Sequence, residues 1–280
     1  MNFFNLFKKN LIFKFKKKKN IDNHSINTNS LDELFNIYGS DKANHFLKNE
    51  NNQGHGYSTF YSKELEEIKN KKIHVLEIGS YSGASAAAFV KYFKNAKVFC
   101  FDINISNFDY KSKHIEVYGL DIKNQKKIEN VLKNIFKQNQ FKEFDLIIDD
   151  GSHNLSDILL SLKYFFVFLK KNGLYVIEDY KFPNYYKYNR DVEDILIDEL
   201  LQKLELKNIF KSSILGIESQ KFLMENIKKT SRLTVFKELI NTNTSVQFSY
   251  VSTTYRVPMD DLYDFLAKNT NVLKTSSWID

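Results

Sequence analysis

The sequence has one cysteine, Cys100. A single thiol excludes an internal disulfide and a cysteine-rich zinc site. It suits a reducing compartment, so the expected location is cytoplasmic. Long apolar runs are also missing, and no stretch reaches the ~18 uninterrupted apolar residues of a membrane span. The richest, "ILLSLKYFFVFLKKNG", contains Lys163 and runs into a basic, glycine-stopped end, which reads as the C-terminus of a buried helix. Acids are absent from residues 1–20, "MNFFNLFKKNLIFKFKKKKN", which hold seven lysines. Removing those seven from the 41 basic residues leaves 34, equal to the 34 acidic ones. The net charge of +7 therefore belongs to the N-terminal segment, and the neutral body argues against nucleic acid as a partner.

What is present describes a globular protein. Hydrophobic residues make up 42% and aromatics 15% of 280 residues, enough for a sizeable core. In the basic segment Phe3, Phe7, Leu11 and Phe15 recur every four residues among lysines. That is the pattern of a cationic amphipathic helix that lies on an anionic membrane, here its inner face. A disordered basic leader has the same composition. A secretory signal fits poorly, because Lys8, Lys9 and Lys14 break each apolar stretch. The expected organisation is a basic tail over 1–20, a linker and helical segment over 21–70 (residues 20–35 being Asn-rich and polar), and one domain over 71–280.

From residue 72 the pattern alternates. "KIHVLEIG", "AKVFCFDI", "HIEVYGLD", "FDLIIDD" and "LYVIED" read as strands. "SAAAFVKYF", "NQKKIENVLKNIFKQ", "LSDILLSLKYFFVFLKK" and "DVEDILIDELLQKLELKNIF" read as helices, with "LTVF" and "VQFSYV" as closing strands. Centrally apolar strands separated by helices predict a doubly wound α/β fold, with a mostly parallel sheet of seven strands. Residues 240–280 carry no clear pattern beyond that.

The loop after the first strand, "VLEIGSYSGAS", has glycines at 79 and 83 but lacks the middle glycine of a dinucleotide-binding loop. Ser80 and Tyr81 stand where a pyrophosphate would need space. This points away from a nicotinamide cofactor and toward a smaller group, such as the amino-acid end of S-adenosylmethionine, with Glu77 suited to its ammonium. Asp102 ends the second strand, where an acid accepts ribose hydroxyls, and Asp121 ends the third, near an adenine position. Asp150 follows the fourth strand, and Glu178 with Asp179 the fifth. Neighbouring parallel strands lie ~4.8 Å apart, so these hard oxygen donors can converge on Mg²⁺ or Mn²⁺. Alternatively, Asp149 and Asp150 cap the next helix. His153, three residues on, is the side-chain type that exchanges protons near neutral pH.

Together "VLEIGSYSGAS", "FCFDIN", "FDLIIDDGSH" and "NGLYVIEDY" resemble the class I S-adenosylmethionine-dependent methyltransferases. More narrowly they resemble the metal-dependent macrolide-sugar O-methyltransferases of the mycinamicin and demethylmacrocin type. The upstream "YGSDKANHF…HGYSTFY", residues 38–61, is similar to a characteristic segment of that group, and the resemblance covers about residues 38–180. It implies O-methylation of a sugar or glycan hydroxyl, with Asp150, Glu178 and Asp179 as metal ligands and His153 as general base. Glu77, Gly79, Ser80, Gly83, Asp102, Asp121, Asp149, Lys42 and Tyr57 fall to the cofactor side. The chain departs from the pattern at "KNG", which replaces a proline-glycine, and over 181–280, the region that shapes the acceptor pocket in this fold. A lipid-linked or polysaccharide acceptor and a homo-oligomer are compatible with this reading. Two rivals remain: a nicotinamide-dependent sugar oxidoreductase, and a non-catalytic, membrane-attached scaffold.

Overall fold

Alternation along the strands builds two cores, one on each face of the sheet. The computed structural model describes residues 3–44, 54–229 and 231–235. In β2 (Lys72–Ile78), Ile73 and Val75 enter one apolar cluster, and Leu76 and Ile78 the other. In β3 (Asn95–Asp102), Val98 and Cys100 oppose Phe99 and Phe101 in the same way. In β6 (Phe144–Asp149), Leu146 and Ile148 oppose Ile147, and in β7 (Leu169–Ile177), Leu174 and Val176 oppose Tyr175 and Ile177. This period of two, apolar on both faces, is what a parallel sheet sandwiched by helices requires.

The first face is covered by α2 (Leu31–Tyr38), α3 (Tyr57–Leu65) and α4 (Ala84–Tyr92). Ala86, Ala87 and Ala88 are fully buried and let α4 lie close to the strands, while Phe89 makes edge contacts with Phe35 and Tyr61. The second face is covered by α5 (Gln125–Asn139), α6 (Leu155–Phe165), α8 (Ile197–Glu205) and α9 (Ile217–Lys229). Between β7 and α8 lies the short α7 (Phe182–Tyr185).

With β5 (Ile115–Gly119) and β8 (Ser231–Val235) the sheet has six strands among the described residues, ordered β5-β3-β2-β6-β7-β8 and parallel throughout. The chain builds outward from β2 to β5, then returns to the other side of β2 to lay down β6, β7 and β8. That reversal between β2 and β6 opens a crevice at the carboxyl ends of the strands. β8 contains most of the expected "LTVF" strand; "VQFSYV" and residues 240–280 lie outside the described residues.

Three expectations about elements change. Residues 31–35 belong to α2, not to a linker: Leu31, Leu34 and Phe35 are buried, and the Ser30 side chain accepts the Glu33 amide as an N-cap. The helix expected to run through "FLKK" stops at Phe165, and after one turn of 3₁₀-helix "LKKNG" opens β7. There the pairing with β6 shifts register between Phe144 and Leu146, and Lys170 bonds Asp145 at 2.8 Å. The helix expected from Asp191 begins only at Ile197, because its acids serve other elements. Asp191 accepts the Ser156 amide at the start of α6, and Asp194 accepts the amides of Ile195, Ser213 and Ile214.

The basic N-terminal segment is ordered. α1 (Phe3–Phe15) packs on the turn Ile105–Asn107, Phe13 meets Phe108 edge-on, and β1 (Lys19–Asn20) pairs in parallel with β4 (Tyr110–Lys111). No helix among the described residues is long and apolar enough to cross a membrane.

Phe144 is fully buried, with rings of Phe99, Phe136 and Phe141 around it. We expect Phe144→Ala to cost about 3–5 kcal/mol in urea denaturation followed by circular dichroism. A loss under ~1 kcal/mol would mean that this aromatic cluster collapses freely around the gap.

Candidate active site

Hydrogen bonds continue past the strand ends and draw the loops together. The Gly79 amide donates to Phe101 O, the Asp150 amide to Ile78 O, and the Glu178 amide to Asp149 O, each at 2.8–2.9 Å. The loop after β2 then runs so close to β6 that a Cβ on Gly79 would stand 1.9 Å from the Asp150 carbonyl oxygen. Gly79 also has φ +86, and Gly83, φ +77, faces the Phe108 ring, which a Cβ there would meet at 2.2 Å. Both glycines are thus required by backbone shape and by space.

Acids stand at the carboxyl ends of β2 and β3 and just after β5, as the sequence predicted. Glu77 is fully buried; its Oε1 accepts Ser85 Oγ, and Oε2 has no partner. Burial pushes its carboxyl up to about 6, against the opposing pull of Lys42 and Ser85. Ser80 is buried beside it and donates to the Glu77 carbonyl at 3.2 Å. Asp102 is fixed by two backbone amides, Tyr81 at 2.7 Å and Asn104 at 2.6 Å. Asp121 holds the turn after β5 by accepting the Lys123 amide at 3.0 Å. Asp149 stands apart from this group. It is buried toward α6, where burial pushes it up to about 7 against the Ser161 hydroxyl, and its Oδ2 has no partner.

Across the crevice the remaining acids meet one buried ammonium. Lys42 is 3% exposed and donates to Asp150 Oδ2 and Glu178 Oε2. Burial alone would lower its pKa, but the charges of Asp150, Glu178, Glu77 and Asp41 outweigh that and hold it well above the ordinary lysine value. Tyr61 donates to Glu178 Oε1 at 2.5 Å, and Tyr57 to Asp179 Oδ1 at 2.7 Å. The other oxygens of two acids face His153: its Nε2 lies 4.0 Å from Asp150 Oδ1 and 3.9 Å from Asp179 Oδ2. His153 has φ +58 and Asp179 φ +53, left-handed conformations that L-residues adopt uncommonly, as Gln140, Asn172 and Lys207 also do elsewhere in the chain.

The expected trio Asp150, Glu178 and Asp179 comes together around Lys42 and His153. Among the described residues, Asp150, His153 and Asp179 bring potential ligand atoms within 4.8 Å of one another. Glu178 is turned to Lys42 and Tyr61. Lys42 and Tyr57, expected on the cofactor side, bond to the acids of this cluster. Tyr61 was missed, although its spacing of four from Tyr57 would have put both on one face of α3.

Comparison with known proteins bears on the family of the sheet and its loops. A family model described as a methyltransferase domain matches residues 76–180. L-olivosyl-oleandolide 3-O-methyltransferase of Streptomyces antibioticus is 31% identical over 132 residues, 45% of this chain and 32% of the relative. Mycinamicin VI 2''-O-methyltransferase of Micromonospora griseorubida is 26% identical over 133 residues, 45% of this chain and 31% of that one. The chain thus spans about a third of the length of these curated relatives. Among solved structures, MycE methyltransferase in complex with Mg, SAH and mycinamycin VI superposes with a TM-score of 0.51 at 24% identity, over 63% of this chain and 47% of that one. Residues 76–180 thus match a methyltransferase domain in sequence, and the sheet around them shares its fold with a solved methyltransferase, the chain being similar in this region to macrolide-sugar O-methyltransferases.

Proposed function

We propose that the protein is an S-adenosylmethionine-dependent O-methyltransferase that uses Mg²⁺ or Mn²⁺ and acts on a hydroxyl of a sugar or glycan. The observation that carries this reading is the meeting of the glycine loop of β2 with the Asp150–His153–Asp179 cluster at one sheet end. The relatives' names supply the acceptor class, since both methylate oxygen on glycosylated compounds.

The residues fit both groups. For the cofactor, Gly79 and Gly83 keep the loop free of side chains, and Glu77 offers a buried acceptor oxygen without a partner, suited to an ammonium. For the metal, the donors are one oxygen each of Asp150 and Asp179, hard ligands suited to Mg²⁺ or Mn²⁺, with the His153 imidazole beside them left free to act as a base. Three formal carboxylates against the Lys42 ammonium leave two negative charges, which one divalent cation balances.

When bound, S-adenosylmethionine supplies the methyl group, and the cation acidifies an acceptor hydroxyl. Asp150 and Asp179 are the residues that would hold the ion, with Glu178 fixed behind them by Lys42 and Tyr61. His153 takes the hydroxyl proton at Nε2; the Phe182 ring, 4.8 Å from its own, keeps the imidazole in place. Asp102, locked by two amides, is the residue that would accept the ribose hydroxyls.

The test is production of S-adenosylhomocysteine from S-adenosylmethionine with a panel of glycosylated acceptors. EDTA is expected to abolish turnover and Mg²⁺ to restore it; activity indifferent to chelator would overturn the metal assignment. His153→Ala is expected to lower kcat by ~10²-fold or more while calorimetry shows S-adenosylmethionine binding unchanged, and full activity would remove the base role. Lys42→Met leaves buried Glu178 without its cation, and we expect a loss of about 3–5 kcal/mol in the metal-free protein. Lys42→Met/Glu178→Gln should recover part of that loss. Equal unfolding midpoints for wild type and Lys42→Met would show that the ammonium carries no structural weight.

A further inference from the structure

We propose that α1 is a docking helix for the surface of an anionic lipid bilayer, seated on the domain by one face and presenting the other. The proposal stands independently of the methyl-transfer reading. The seated face is defined by contact. Phe13 packs on Phe108, and Asn10 lies against Gly119, so close that a Cβ there would meet its Oδ1 at 1.9 Å. Lys16, just past the helix, bonds the carbonyls of Ser106 and Asn107 at 3.0 Å and pairs with Asp109 at 2.6 Å. Such anchoring excludes the disordered leader that the composition alone allowed.

The opposite face carries Phe7, Leu11 and Phe15, four residues apart and thus in one stripe along the helix. Their exposures are 59%, 46% and 77%. Exposed lysines flank the stripe: with 3.6 residues per turn, Lys14 falls on one side of it and Lys8 on the other. Lys17 and Lys111 are also exposed nearby, and Lys18 is lowered from its ordinary value by burial and then by the charges of Lys111 and Lys16. An aromatic stripe between cations, in a segment with no acid, matches the interface of an anionic bilayer: rings enter the acyl boundary, and ammonium groups reach the phosphates. A second copy of this chain fits worse, because its flanking lysines would oppose these.

Location gives the surface a consequence. α1 rests on the turn after β3 and on the end of β5, at the same sheet end as the crevice. A bilayer under α1 would therefore run beside the crevice rim.

The experiment is co-sedimentation of the full chain with sucrose-loaded vesicles of phosphatidylcholine, with or without phosphatidylserine. The expected result is at least ~10-fold stronger partitioning onto the anionic vesicles, reduced by salt. Phe7→Glu/Leu11→Glu/Phe15→Glu should lose it with an unchanged melting temperature, and Lys8→Glu/Lys14→Glu/Lys17→Glu should lose its anionic preference. Equal partitioning of wild type and the aromatic variant would overturn the proposal. So would a wild-type dimer in light scattering that this variant converts to monomer, which assigns the stripe to a second copy. A clear drop in the aromatic variant's melting temperature would overturn it too, since the stripe would then be covered by the chain itself.

Discussion

The crevice depends on a cation that the chain supplies itself. Glu178 is 1% exposed and Asp150 lies beside it, an arrangement that burial and mutual repulsion both oppose. The Lys42 ammonium, from a segment more than a hundred residues upstream, bonds to both. Desolvating an ion pair is costly, and such pairs hold only where further hydrogen bonds complete them. Tyr61 supplies one to Glu178, and Tyr57 does the same for Asp179. The upstream segment thus braces the acids from behind and leaves Asp150 Oδ1 and Asp179 Oδ2 facing His153.

That bracing works because the sheet brings the acids to one place. Winding outward from β2 and back again puts the ends of β2, β6 and β7 side by side, and amide bonds past the strand ends fix their mutual register. The close pass of Gly79 over Asp150 joins the glycine-loop half of the crevice to the acid half. A side chain at Gly79 would separate them, so one backbone constraint serves both halves.

The sheet and the strand-end acids were legible because they follow from local signals. Central apolar runs gave five of the strands their place, and Glu77, Asp102, Asp121, Asp150, Glu178 and Asp179 stand at strand ends because strands stop where polarity begins. What stayed hidden depends on distant partners. Nothing near Lys42 announces that it will meet Asp150 and Glu178, 108 and 136 residues away. The division of labour among Asp150, Glu178, Asp179 and His153 is likewise set by which donors the upstream segment aims at which oxygen. Two local signals were readable but outweighed: Ser30 with Glu33, a capping pair lost in an Asn-rich stretch, and "KKNG", which reads as a helix stop but forms the irregular start of β7.

Backbone strain shows how rigidly the crevice is set. Tyr81, His153 and Asp179 all have positive φ, and each sits at a strand-end loop of the crevice. Such conformations cost about 1–3 kcal/mol apiece and persist only where the surroundings over-determine them. For Asp179 the determinants are visible: β7 ends two residues earlier, and Tyr57 holds one carboxylate oxygen. For Tyr81 it is the Asp102 carboxylate on its amide. The same contacts that offset the strain also aim the side chains. Donors set in advance need less reorganisation when a charged ligand arrives, which is where electrostatic catalysis gains most.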